Sequence, residues 1–369
     1  MRHPFSHTVS DELRQLTDAG LNKTERPLQG PQSARISIRS REFINLSANN
    51  YLGLANDESV IEAAKEALDR YGYGMSSVRF ICGTHKLHIE LEEALAKFLG
   101  KEDAILFAAC FDANGCLFEA LLRAEDSIVS DALNHASIVD GIRLSRANRY
   151  IFPNRDMDCL VQRLREARMA GARHVMIASD GVFSMDGTFA PLDEITALAK
   201  EFDAVVVIDG CHATGFVGAT GRGMHEHFDV MDDTHILTGT LGKALGGGLG
   251  GYIAGTKQVI ELLRERARPY LFSNALPPAI CSASLRALDL IQQRQDSRQK
   301  LFENTVFWRE GLHRAGFEVA GKEHPITPVN LGDAKRVQEF SSRLFERGVH
   351  APGFSLIQIA GNNRTRSGW

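Results

Sequence analysis

Ala204-Val-Val-Val-Ile-Asp-Gly210 and, twenty-odd residues on, His235-Ile-Leu-Thr-Gly-Thr-Leu-Gly-Lys-Ala-Leu-Gly-Gly-Gly248 decide the reading of this chain. The first is an unbroken apolar, β-branched run that stops at Asp209-Gly210, which predicts a strand buried on both faces. The second opens as a short strand and passes through Lys243 into a glycine run. Working outward, the same alternation recurs. Short apolar strands are expected at Asp103 to Phe107, Ser127 to Val129 and His174 to Ala178. Amphipathic helices are expected at Val60 to Tyr71, His88 to Leu99 and Met157 to Ala170. Repeated strand–helix alternation predicts an α/β fold, a mostly parallel sheet with helices on both faces. Ligands of such sheets sit beyond the carboxyl ends of the strands, where Asp209 and Lys243 fall.

The expected organisation is an N-terminal arm over 1–45, a large α/β domain over 46–280, and a small C-terminal α/β domain over 281–369. A long helical stretch from Ala279 to about Ala315 joins the last two. The chain has 369 residues, 44% apolar and 24% charged, and 33 glycines, an ordinary soluble α/β composition. A net charge of -4 without blocks of like charge argues against nucleic acid or a membrane as partner. Cys82, Cys110, Cys116, Cys159, Cys211 and Cys281 show no CxxC spacing and read as reduced thiols of a cytoplasmic protein. No apolar run reaches membrane-spanning length, and the polar start, Met1-Arg-His-Pro-Phe-Ser6, is not a signal peptide. His85, His88, His225 and His227 form no metal-ligand pattern, and no metal is expected.

A lysine and a carboxylate on consecutive strand ends suit pyridoxal phosphate. The lysine holds the aldehyde as a Schiff base, and the carboxylate keeps the pyridine nitrogen protonated so that the ring can accept electrons. Two other phosphate motifs fail. A P-loop requires Gly where Leu237 stands and Ser or Thr where Ala244 stands. Gly246-x-Gly248-x-x-Gly251 matches a dinucleotide fingerprint, yet it runs into Tyr252-Ile-Ala-Gly255, a further strand, rather than opening a helix.

Several blocks then share one order along the chain. They are Asn49-Asn-Tyr-Leu-Gly-Leu-Ala55, Ser77-Val-Arg-Phe-Ile-Cys-Gly-Thr84, Cys110-Phe-Asp-Ala-Asn114 and Asp131-Ala-Leu-Asn-His-Ala-Ser137. Further on come Asp180-Gly-Val-Phe-Ser-Met-Asp-Gly187, Thr238 to Gly251, and Arg268-Pro-Tyr-Leu-Phe-Ser-Asn274. In these the chain resembles the α-oxoamine synthases, pyridoxal-phosphate-dependent transferases of fold type I, the aspartate-aminotransferase type. The resemblance spans about residues 10 to 354.

It implies that Lys243 binds the cofactor and then removes the glycine α-proton, and that Asp209 pairs with the ring nitrogen. It also implies that His212 bonds the phenolic oxygen and that His135 stacks on the ring and touches the substrate carboxylate. The backbone amides of Cys110 and Phe111, with the Thr240 hydroxyl, are expected at the phosphate. Ser184 is expected near the ring oxygen, and Ser273 at the phosphate of a second subunit, hence a homodimer with shared active sites. Asn49 is expected near the substrate. The reaction implied is condensation of glycine with acetyl-CoA to 2-amino-3-oxobutanoate and CoA, in threonine breakdown. Val78 and Phe80 cannot hydrogen-bond the distal carboxylate of a succinyl donor, so a small apolar acyl group is expected. A long-chain user such as 8-amino-7-oxononanoate synthase is the alternative.

Two departures stand out. Gly210-Cys211 follows Asp209 where the family carries an acidic residue and then Ser or Ala. The C-terminus, Gly353 to Trp369, reads as shortened. Its Gly361-x-x-Arg364-x-Arg366 offers Arg366 as the clamp for the substrate carboxylate. Without a working clamp, the expectation is a protein that binds the cofactor but is inactivated.

Overall fold

The computed structural model describes residues 3–354, and the chain divides into two units. One comprises Asn49–Val306 with Gly321–Ile326, and the other the described parts of Met1–Ala48, Phe307–Ala320 and Thr327–Trp369.

The larger unit is built on a seven-stranded sheet. In chain order its strands are β1 (Asp103–Phe107), β2 (Ser127–Asp131), β3 (Asn148–Phe152), β4 (Val175–Asp180), β5 (Ala204–Asp209), β6 (Ile236–Thr240) and β7 (Gly251–Gly255). In space they run β1-β7-β6-β5-β4-β2-β3. Only β7 opposes its neighbours, pairing antiparallel with both β1 and β6; the remaining pairs are parallel. The mostly parallel α/β sheet expected from sequence is therefore present.

Its residues alternate between two apolar layers. Val129, Ile177, Val206, Ile208 and Leu237 enter one, and Ile128, Met176, Val207, Ile236 and Ile253 the other. Burial on both faces is why β5 is apolar from Ala204 to Ile208, up to the Asp209 that ends it. β3 was not legible in the sequence. As an edge strand it buries only Phe152 fully, so its polar and apolar residues do not mark it as a core element.

The long helical stretch is two helices, Pro278–Gln293 and Gln295–Arg314. They break at Arg294, whose guanidinium reaches Asp57 Oδ2 at 2.5 Å. Arg298 donates to the Ile291 carbonyl at 2.7 Å, satisfying one of the acceptors a helix end leaves open.

The smaller unit contains the Pro4–Asp18 helix, which buries none of its residues, and the hairpin Arg35–Ile38/Arg41–Asn45. Val349–His350 adds a parallel strand to that hairpin. Phe345 stacks on Phe43 at 4.3 Å between ring centroids, closing a small core with Ile36 and Ile38. Among the described residues, no helix is long and apolar enough to cross a membrane.

Two buried histidines give the larger unit a pH dependence. His88 Nδ1 accepts from the His85 amide at 2.9 Å, and its Nε2–H donates to the Leu276 carbonyl at 2.8 Å. This arrangement requires the neutral ring. Desolvation accordingly moves its pKa down to about 4. His225, bonded through Nε2 to the Leu99 carbonyl, is likewise moved down by burial to about 4.

For a folded pKa below the unfolded value, protonation favours unfolding. Stability is thus complete above about pH 6.5 and is lost as pH falls toward about 4, by roughly 3 kcal/mol per histidine. Urea unfolding at pH 7 and pH 5 should show the loss, and His88→Gln should flatten part of that slope. An unchanged slope in that variant would contradict the assignment.

Candidate active site

β5 ends at Asp209 and β6 at Thr240, with Asp209 in register with Thr238, so Lys243 lies one short turn beyond the neighbouring strand. Asp209 is 5% exposed. Its Oδ1 accepts from the Cys211 amide at 2.8 Å, and its Oδ2 from Asn114 Nδ2 at 2.7 Å. The same Asn114 amide reaches Ser137 Oγ at 3.0 Å. Ser137 Oγ in turn lies 2.7 Å from His135 Nδ1, so one polar chain joins His135 to Asp209. His135 caps the Ala136–Leu144 helix, its Nδ1 accepting from the Ser137 amide, which leaves Nε2 to carry the proton. The His135 amide donates to Asp180 Oδ2 at 2.7 Å. Asp180 ends β4, in register with Asp209, and burial followed by the Asp209 charge raises its pKa well above the carboxylate range.

Lys243 Nζ lies 2.7 Å from His212 Nε2, and His212 Nδ1 lies 2.7 Å from the Tyr51 hydroxyl. Burial, then Lys243, His324 and His135, lower the His212 pKa well below the ordinary value. The ring is therefore neutral at pH 7. Nε2 accepts a hydrogen bond from Lys243 Nζ, and Nδ1–H faces Tyr51. Burial raises the Tyr51 pKa, keeping it a phenol. The buried His324 donates from Nε2 to the His212 carbonyl at 2.7 Å, with its Nδ1 accepting from the Ile326 amide. Thr240 Oγ1 donates to the Gly250 carbonyl at 3.1 Å and accepts from the Gly242 amide at 3.0 Å, tying both sides of the Lys243 loop together.

The Cys110–Leu121 helix starts beside this cluster, and its N-cap, Ala109, supplies no side-chain cap. The first amides, those of Cys110 and Phe111, therefore keep their donors for an anion. Gly251 makes this approach possible. A Cβ there would lie 2.3 Å from the Cys110 amide nitrogen and 2.5 Å from the Ala109 carbonyl carbon. Gly251→Ala would have to push the amide cradle aside, at about 1–3 kcal/mol. Cofactor affinity is expected to fall about tenfold or more, with far-ultraviolet circular dichroism unchanged. Equal affinity in titrations of the two proteins would contradict the cradle.

The structure thus brings Lys243, Asp209 and His212 together, reaches His135 through Asn114 and Ser137, and sets Cys110 within 4.0 Å of Asp209. Phe111 lies edge-on to His135, with ring centroids 6.3 Å apart. Among the described residues, the hydrogen bonds of this network do not include Asn49, Ser184 or Ser273. Asn49 is exposed, Ser184 is half-buried in the turn after Phe183, and Ser273 is exposed at the end of the Arg268–Phe272 helix. Arg366 lies outside the described residues. Sequence reasoning gave no role to Asn114, Tyr51, Asp180 or His324. The first three lie inside the quoted motifs, whereas His324 sits outside every motif and carried no signal.

Fit to a pyridine-type phosphate cofactor can be judged from these donors. A fixed carboxylate, a lysine amine beside a neutral imidazole, and an uncapped helix start occupy one end of the sheet. These are the groups that such a ring, aldehyde and phosphate need, and the residues fit.

Comparison with known proteins agrees along nearly the whole chain. The chain is 54% identical over 355 residues to the 2-amino-3-ketobutyrate coenzyme A ligase of Escherichia coli, covering 96% of this chain and 89% of the relative. Identity to the human mitochondrial enzyme of the same name is 48% over 349 residues, 94% of this chain and 83% of that one. An 8-amino-7-oxononanoate synthase from Petrotoga mobilis is 43% identical over 347 residues, 94% and 88% of the two chains. Among solved structures, a serine palmitoyltransferase from S. paucimobilis with a bound PLP–myriocin aldimine superposes with a TM-score of 0.87. It is 29% identical, over 95% of this chain and 88% of that one. The family model for aminotransferases of class I and II matches residues 41–366, and the chain belongs to that family.

Proposed function

We propose that this chain is a pyridoxal-phosphate-dependent acyltransferase that condenses glycine with acetyl-CoA, giving 2-amino-3-oxobutanoate and CoA, a glycine C-acetyltransferase activity of threonine breakdown. The observation that carries the reading is the placement of Asp209 at the end of one strand and of Lys243, bonded to His212, just beyond the end of its neighbour, in a chain 54% identical to an enzyme named for that product. The Petrotoga mobilis synthase is the more distant of these relatives, which favours the short-chain reaction.

Lys243, Asp209, His212 and His135 would hold the ring, and the Cys110 and Phe111 amides with Thr240 its phosphate. Bound there, the cofactor supplies an electron sink for the carbanion formed when glycine loses its α-proton. The protein's own part is proton handling and orientation. Asp209, fixed through both oxygens, holds its charge where a ring nitrogen must stay protonated. Lys243 Nζ takes the α-proton, and neutral His212 accepts a hydrogen bond from that nitrogen before reaction. His135 presents Nε2–H to the substrate carboxylate. Arg366 is the proposed clamp for the same carboxylate, with Asn49 and Ser184 at the rim. Val78 and Phe80 make the acyl end apolar.

The functional form is proposed to be a cytoplasmic homodimer in which Ser273 reaches the partner's phosphate site. The exposed Phe80, Ile81 and Phe272 support such an interface. Steady-state rates with acetyl-, succinyl- and long-chain acyl-CoA test the reading. The highest kcat/KM is expected for acetyl-CoA, and a preference for a long-chain donor would overturn it.

A further inference from the structure

We propose that Cys110, Asp209 and Cys211 form a binding site for a thiophilic divalent cation such as zinc, open when the cofactor is absent and closed when it is bound. The two sulfurs are 3.3 Å apart, and Cys110 Sγ lies 4.0 Å from Asp209 Oδ2. One ligand atom from each of the three residues lies within 4.8 Å of the others. Ligand atoms around a tetrahedral zinc, with bonds of roughly 2.0–2.3 Å, are separated by about 3.5–3.8 Å. The Cys110–Cys211 and Cys110–Asp209 separations bracket that range, and with all three atoms within 4.8 Å side-chain adjustments of about an ångström or less bring them around a cation.

The carboxylate is already oriented for this. The Cys211 amide holds Oδ1, and the Asn114 amide fixes Oδ2 on the side of the Cys110 sulfur, the outer support that metal ligands need. Two sulfurs and one carboxylate favour zinc or cobalt over magnesium or calcium. The expectation of no metal was drawn from histidine spacing. The cysteines gave no metal signal because Cys110 and Cys211 are 101 residues apart in sequence and meet only in the fold.

Without a metal both sulfurs are protonated. The Cys211 contact pulls the Cys110 pKa down, but burial and Asp209 carry it up on balance. The Cys110 contact, burial and Asp209 raise that of Cys211 well above the ordinary thiol value. The cation replaces those protons, so two are released per ion bound and binding tightens as pH rises.

The proposal rests on the cofactor reading at one point, that Asp209 serves either the ring nitrogen or the metal. Binding of the two is then mutually exclusive.

The test uses the full-length protein stripped of cofactor, with cobalt(II) as probe. Sulfur-to-cobalt charge-transfer absorption should saturate at one equivalent and release protons. It should be absent from the loaded holoenzyme and from Cys211→Ala. Zinc held at ten times its Kd should slow cofactor reloading about tenfold by mass action, and Cys211→Ala should reload at one rate with or without zinc. Cys110→Ser serves as a second variant if Cys211→Ala fails to fold. Absence of the band from stripped protein that still reloads, its persistence in both variants, or zinc-indifferent reloading would each overturn the site. Failure to reload in metal-free buffer would strike the cofactor reading instead, and the cobalt band would still decide the metal site.

Discussion

Lys243→Ala is expected to lose condensation activity by about 10³-fold or more and to abolish any borohydride-reducible link to the cofactor. The expected loss has two parts. Removing a positioned proton-transfer group costs typically about 10²–10⁴-fold, and the amine that holds the cofactor aldehyde disappears as well. The loop itself should survive. Thr240 ties it through Gly242 and Gly250, and among the described residues the Lys243 side chain bonds His212. Circular dichroism should therefore be unchanged, and cofactor should still bind, more weakly, through the remaining groups. Mass spectrometry after borohydride reduction reads the outcome. A cofactor-sized mass on another lysine would remove Lys243 from its role.

Asp209→Asn is expected to lower kcat/KM by about 10²–10³-fold, the scale of losing one preorganised electrostatic partner. The substitution keeps size and shape but changes two interactions. The amide carries no charge to hold a ring nitrogen protonated. One of its two ends must also present N–H either to the Cys211 amide or to Asn114 Nδ2, both donors, so one hydrogen bond becomes a repulsive contact. Asn114→Ala should cost less, because the carboxylate remains and keeps the Cys211 bond. If Asn114→Ala proved as damaging as Asp209→Asn, orientation rather than charge would be the function of Asp209.

The parts of this fold that follow one strand or one helix were legible in the sequence. β5 was read from its β-branched run, and the helices at Glu58–Tyr71 and Lys86–Leu99 from their amphipathic spacing. Lys243, Asp209 and His212 were legible because Asp209 ends its strand and the other two sit three residues past strand ends, where sheet topology fixes position. What was not legible depends on distant residues meeting. Asn114 reaches Asp209 across 95 positions, and Tyr51 reaches His212 across 161. The break at Arg294 is held by Arg294 on Asp57 and by Arg298 on the Ile291 and Ala219 carbonyls, contacts that no helical pattern encodes. β3 escaped notice because an edge strand need not be apolar, and the Cys110–Cys211 contact because sulfurs far apart in sequence carry no spacing signature.

A glycine titration followed by visible absorption of the pyridoxal-phosphate-loaded protein tests the central claim most directly. The account predicts a Schiff-base band that changes saturably with glycine, and no such band in Lys243→Ala. A wild-type protein with no band would contradict the cofactor reading. A band indifferent to glycine would contradict the assignment of glycine as substrate.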